Sequence, residues 1–264
     1  MDIMQAIDSR ISCRAYDGRT IEAEKLDQLE ACIAECNAAG DVRMVLMRPE
    51  NGGADLKLAK AMFAGQPSTY IAYIARTDEE SRDRLGYYGE KVILFATQLG
   101  LGTCWVAGTY DRASAHVSLE PGEELHAVVP VGYPAPKTPL KQRTVRAALR
   151  RRDKKPTDVY AGYNVASAAV RAAIDAVIKG PSAVNGQPWV FIDTPGGIAA
   201  TLLHQERDRA ARPGHREAPL RARRRQRGRR RNLELGHRGH VHAQLRGAAH
   251  SVLYQRAARR RTIS

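Results

Sequence analysis

The sequence predicts an α+β chain, on three observations. Amphipathic helical stretches alternate with short apolar strands through the first two hundred residues. One helix-then-strand layout occurs twice. The last 61 residues carry no such pattern, so the folded part ends near residue 203.

Taken in order, Ile3, Ala6 and Ile7 mark a short amphipathic helix that runs into Arg10-Ile-Ser-Cys-Arg14-Ala-Tyr16. Thr20 is placed to cap a helix from Ile21 to about Asn37, with Leu26, Leu29, Ile33 and Cys36 at helical spacing and Gly40 ending it. Val42–Met47 and Tyr70–Ala75 read as strands. A helix is expected from near Glu90, with Val92, Ile93, Ala96 and Leu99 as its buried stripe, stopped by Gly100 and Gly102. Leu125–Gly132 is an apolar strand, and residues 137–158 form a charged connector. A helix over Asn164–Lys179 and a strand over Trp189–Asp193 follow. The helix at 21–37 with Val42–Met47 has the layout of the helix at 164–179 with Trp189–Ile192. Two copies of one unit would let the chain fold as its own dimer; chance similarity between amphipathic helices gives the same pattern.

The formal net charge is +14, which at first suggests a nucleic-acid binder. Its distribution argues otherwise. Residues 204–264 hold 18 Arg, no Lys and only Glu206, Asp208, Glu217 and Glu234, so they alone carry the excess. Residues 1–203 balance 24 basic against 24 acidic side chains. Six of the eight histidines also fall in that tail. Its low hydrophobicity and high charge predict disorder. Two origins fit: a basic RNA-binding arm, or a GC-rich gene read out of frame. Arms usually mix Lys with Arg and interleave aromatics, which favours the second. With freely chosen synonymous codons, 236–246 shifted by one base also reads as ordinary globular sequence. The gene's nucleotide sequence across these codons decides between them.

Several chemistries are excluded by what is missing. There is no GxGxxG turn after a strand, no phosphate loop and no HExxH. Only His116 and His126 precede the tail, and neither has a Ser or Cys in a nucleophile context. The cysteines Cys13, Cys32, Cys36 and Cys104 form no CxxC and read as structural thiols. No apolar run reaches the roughly 20 residues that span a bilayer, and no leader is visible, so a cytoplasmic setting is expected. Chemistry is left to carboxylates, thiols or a bound cofactor.

Arg10, Ser12 and Arg14 alternate, so in an extended segment they share one side. Two guanidiniums and a hydroxyl suit a phosphate; a solvated charged strand looks the same. Lys141 and Arg143 form a second alternating cationic pair. Pro181-Ser-Ala-Val-Asn-Gly-Gln-Pro-Trp189 packs Ser182, Asn185 and Gln187 into one helix-to-strand loop, suited to a heterocycle edge that both donates and accepts, or simply a polar loop. Gly100-Leu-Gly-Thr-Cys-Trp-Val-Ala-Gly108 offers backbone N–H groups beside a helix end, and a helix cap with a tight turn has the same composition.

Together these segments, with Val131-Gly-Tyr-Pro-Ala135 and Lys141-Gln-Arg143, resemble the nitroreductase superfamily over about residues 1–203. In typical members the Arg-x-Ser-x-Arg segment and the Pro-Ser-x-x-Asn-x-Gln-Pro-Trp loop both lie near the N-terminus. Here the loop appears only in the second copy, as in the subfamily that fuses two nitroreductase units in one chain. The resemblance implies an FMN-dependent nitroreductase-like α-β-α sandwich: an internal pseudo-dimer with a first copy at 1–155, a truncated second copy at 156–203 and the tail at 204–264. It implies that Arg10, Ser12, Arg14, Lys141 and Arg143 bind the FMN phosphate and ribityl chain. Ser182, Asn185 and Gln187 would line the isoalloxazine ring, and the Ala107–Gly108 backbone would approach its reactive nitrogen. It further implies hydride transfer from NAD(P)H to a small-molecule acceptor, such as a nitroaromatic or quinone, with no side-chain nucleophile. A monomer with no membrane or specific nucleic-acid partner is expected. A whole second copy would run for roughly another hundred residues. The arginine-rich tail stands in their place, so weak folding or weak flavin binding is expected, since stability totals only about 5–15 kcal/mol.

Overall fold

The computed structural model describes residues 1–137, 139–140, 143–144, 147, 154–195, 197–202 and 231–232. Apart from the last pair, the tail lies outside the described residues, as do Lys141 and most of the charged connector.

Helix α1 spans Ile3–Ser9 and begins in a capping box, with Asp2 accepting from Gln5 N and Gln5 reaching back to Asp2 N. Helix α2 spans Ala23–Gly40, starting two residues later than the periodicity predicts, and Glu22 rather than Thr20 is its N-cap. The delay is tertiary. Asp17 N donates to Tyr133 O, and the Tyr133 hydroxyl donates to the Glu22 carboxylate, which holds the chain extended up to the helix. At the other end Asp41, not Gly40, takes the left-handed cap at φ 47°. Gly40 is required for packing instead, because a Cβ there would sit 2.2 Å from the Tyr88 ring.

Strands β1 (Arg43–Met47), β2 (Thr69–Arg76), β3 (Gly102–Thr103) and β4 (Glu123–Gly132) form an antiparallel sheet in the order β1-β2-β4-β3. Along β2, Ile71, Tyr73 and Ala75 face one core while Tyr70, Ala72 and Ile74 face another. The first core is closed by α2 and by α3, Glu79–Gln98. The second is closed by loop segments around Cys13–Tyr16, Leu56–Phe63 and Cys104–Val106. A second helical layer, expected of an α-β-α sandwich, is not seen on that face among the described residues.

Helix α3 begins eleven residues before the expected Glu90. Asp78 caps it by accepting from Ser81 N at 2.8 Å, and Glu79 and Glu80 favour its first turn. The charged run through Arg84 hides a helix whose buried stripe continues through Leu85, Gly86 and Gly89.

Pairing of β2 with β4 slips between Tyr73↔Ala127 and Ile74↔Leu125, so His126 is the extra residue of a β-bulge. Burial, reinforced by the Arg82 charge, lowers the His126 pKa. The folded state therefore favours neutral His126, a stabilisation present above the unfolded histidine pKa and lost as pH falls through the lowered one. Melting temperature should fall between about pH 7.5 and about pH 5.5, and less so in His126→Gln. An equal fall in both proteins would exclude His126 as a source.

In the second helix–strand pair the helix is shorter than expected, and the strand is one residue longer. Tyr163–Val165 is a 3-10 turn, a short helix α4 spans Pro156–Val159, and α5 runs only from Ala168 to Ile178 under a Ser167 cap. Strand β5 (Trp189–Thr194) pairs antiparallel with β6 (Gly197–Leu202), which also pairs with β7 (Arg231–Asn232). Those two residues of the expected disordered tail are thus in a strand. Val159, Tyr160, Ile174, Val177, Trp189 and Phe191 form a separate small core.

Candidate active site

The segment after α1 runs beside the sheet and is tied to it and to the 64–65 loop by isolated β-bridges. Ser12 bridges Thr103 in parallel, Cys13 N donates to Thr103 O at 2.8 Å, and Tyr16 N donates to Ala64 O at 2.9 Å. Cys13 and Ala15 turn inward and are buried, whereas Ser12 and Arg14 stay half-buried. The burial pattern follows the alternation expected for Arg10, Ser12 and Arg14 from Ser12 to Ala15 only. Parallel pairing sets Cys13 beside Cys104. Burial pushes the Cys13 thiol up to about 11 and raises that of Cys104, so neither is a thiolate at neutral pH. Gly102 permits the close approach: a Cβ there would lie 2.8 Å from the Cys13 Cβ and Sγ.

The Arg10 guanidinium is nearly buried. The side chain is 7% exposed, and its Nε lies 3.9 Å from Glu90 Oε1, whose side chain is 2% exposed. That contact is an ion pair without a hydrogen bond, and Arg10 Nε is buried with no hydrogen-bond partner. The second Glu90 oxygen accepts from Trp105 Nε1 at 3.1 Å. Trp105 in turn lies 4.3 Å from the Tyr73 ring, centroid to centroid. A Cβ at Gly89 would meet Tyr73 Cε1 at 2.4 Å and Trp105 Cη2 at 2.9 Å, so glycine is what lets the indole reach the carboxylate. Glu90 was not among the residues the sequence singled out. Its signal is a carboxylate on the apolar stripe of α3, visible only once the helix is started at Glu79.

The 100–108 segment does cap a helix: Gly100 takes φ 78°, Gly100 N donates to Thr97 O, and Leu101 N donates to Ala96 O. Reciprocal bonds between Val106 and Val128, both 3.0 Å, then fix the chain just before half-buried Ala107 and exposed Gly108.

The second polar loop is rigid for reasons in its own backbone. Asn185 and Gln187 both adopt left-handed conformations, at φ 51° and 38°. Ser182 Oγ accepts from Gln187 N at 3.1 Å, and Asn185 N donates to Ser182 O at 3.0 Å. The Gln187 side chain is directed into the fold. It is 1% exposed; its Nε2 donates to Ile178 O at 2.7 Å and its Oε1 accepts from Lys154 N at 2.6 Å.

The helix before this loop packs on the helix before the first segment. Ala176 of α5 packs with Ala6, Ile7 and Leu94, and Lys179 Nζ pairs with Asp8 Oδ1 at 2.6 Å. The structure thus joins the stems of the two segments, one ending at Asp8 and the other at Lys179. It brings Arg10, Ser12 and Arg14 together with residues 103–105, and Ala107 and Gly108 lie beyond that stretch. Arg143 is exposed, with its N donating to Pro139 O. Lys141 lies outside the described residues.

A family model described as "Putative TM nitroreductase" matches residues 2–211. The solved structure of a putative nitroreductase from Thermotoga maritima is 20% identical, spans 99% of this chain and 87% of its own, and has a TM-score of 0.50. An FMN-dependent nitroreductase from Clostridium difficile is 17% identical over 51% of this chain and 89% of its own, with a TM-score of 0.41. A putative nitroreductase from Desulfovibrio desulfuricans, solved in complex with FMN, is 20% identical over 54% of this chain and 95% of its own, with a TM-score of 0.38. At these identities the first of them shows likeness of fold. No curated protein sequence matches.

Proposed function

This chain belongs to the family described as "Putative TM nitroreductase", and from that premise we propose that it is an FMN-dependent oxidoreductase. It would pass a hydride from NAD(P)H to a nitroaromatic, quinone or similar small acceptor. The observation that carries the reading is Arg10, a nearly buried guanidinium whose Nε has no hydrogen-bond partner. Burying a cation is costly, and an anion that takes its N–H groups offsets that cost. The FMN phosphate has the charge and acceptors for this position.

Around it, Ser12 and Arg14 lie on the same bridged segment and supply a hydroxyl and a second cation. Arg143, with Lys141, would close on the phosphate from the connector. Ala107 and Gly108 would present backbone beside the ring. Ser182 and Asn185 would meet the ring edge, while Gln187 keeps their loop in shape. Bound flavin supplies the hydride chemistry, so the protein needs no nucleophilic side chain. The protonated state of both buried thiols beside this segment fits that division of labour. We also infer that the site lies between two fused copies, with α1 and α5 meeting at their interface; the packing of Ala176 on Ala6, Ile7 and Leu94 supports it.

The test is direct. Purify the full chain, titrate it with FMN while following flavin fluorescence, then follow NAD(P)H oxidation with menadione or a nitrofuran in excess FMN. Saturable, if weak, FMN binding and acceptor-dependent turnover are expected. No binding at any FMN concentration, with no turnover, would overturn the reading.

A further inference from the structure

Resting on that reading, we infer that Glu90 is a positioning residue that makes the site selective for phosphorylated flavin over riboflavin. Three observations converge on it. Glu90 is a carboxylate in the buried stripe of α3, with a side chain 2% exposed. One oxygen is oriented by the Trp105 indole N–H. The other lies 3.9 Å from Arg10 Nε, close enough to balance the guanidinium charge and too far to take its hydrogen bond.

The consequence is a two-sided arrangement. The carboxylate compensates the buried cation from inside the fold. The terminal guanidinium nitrogens, which take no hydrogen bond among the described residues, remain for a ligand. Without the carboxylate, the cation is better hydrated if Arg10 swings outward. A phosphate must then draw it back against that hydration and the rotamer freedom of a long side chain. Removing Glu90 also removes a negative charge near the phosphate, which would favour binding. The loss of preorganisation dominates, because bidentate capture of phosphate demands a fixed guanidinium plane. Riboflavin lacks the phosphate and is indifferent to all of this.

Glu90→Gln keeps the shape and an acceptor for Trp105 while discarding the charge. FMN should bind about tenfold more weakly, and riboflavin affinity should not change. In an Arg10→Ala background the same substitution should alter FMN affinity less than about twofold, because the partner it positions is gone. Trp105→Phe, which frees the carboxylate but keeps an aromatic ring on Tyr73, should show a smaller loss confined to FMN. Equal weakening of both flavins, or FMN binding unchanged or tighter in Glu90→Gln and Trp105→Phe, overturns the inference and leaves the flavin reading standing. If the unsubstituted protein binds neither flavin, both fall together.

Discussion

Gln187→Leu is expected to destabilise the protein by roughly 1–3 kcal/mol, because two part-buried backbone groups lose their partners at once. Ile178 O and Lys154 N both depend on this one amide, which is 1% exposed. Leucine fills a similar volume without replacing either bond. Denaturant unfolding followed by circular dichroism measures the loss. The Asn185 loop and the end of α5 should also exchange amide hydrogens faster than β2 and β4. A change below about 0.5 kcal/mol would mean that the amide bracket contributes little.

Arg10→Ala should weaken FMN binding about 100-fold, or about 2.7 kcal/mol. The guanidinium contributes charge and, on the proposed reading, bidentate hydrogen bonds in a poorly hydrated position. It also leaves Glu90 without the charge it balances, so a modest loss of thermal stability should accompany the loss of affinity. Fluorescence titration with FMN and a melt of the flavin-free protein separate the two effects. Unchanged FMN affinity would remove Arg10 from the phosphate site and, with it, the observation on which the functional proposal rests.

How much of this was legible beforehand varies with the range of the interaction responsible. Strands β1, β2, β4 and β5 were readable to within two residues, because each is a short apolar run whose burial alone selects it. Helix ends were less so. The start of α2 depends on Tyr133, more than a hundred residues away, and the start of α3 on an acidic run that reads as solvated until its cap is seen. Gly40 read as a helix terminator and proved to be a clearance for Tyr88. Gln187 read as a ligand-facing amide and proved to be directed inward, a distinction that composition cannot make.

Local chemistry sufficed for the family and for the alternation of burial from Ser12 to Ala15, since each depends on residue type and spacing along a few positions. Tertiary structure decided which guanidinium is buried, which carboxylate stands behind it and how the stems of the two segments are joined. Those depend on Gly89, Trp105, Asp8 and Lys179 meeting across elements far apart in the chain, and burial and charge balance are properties of that meeting rather than of any one segment.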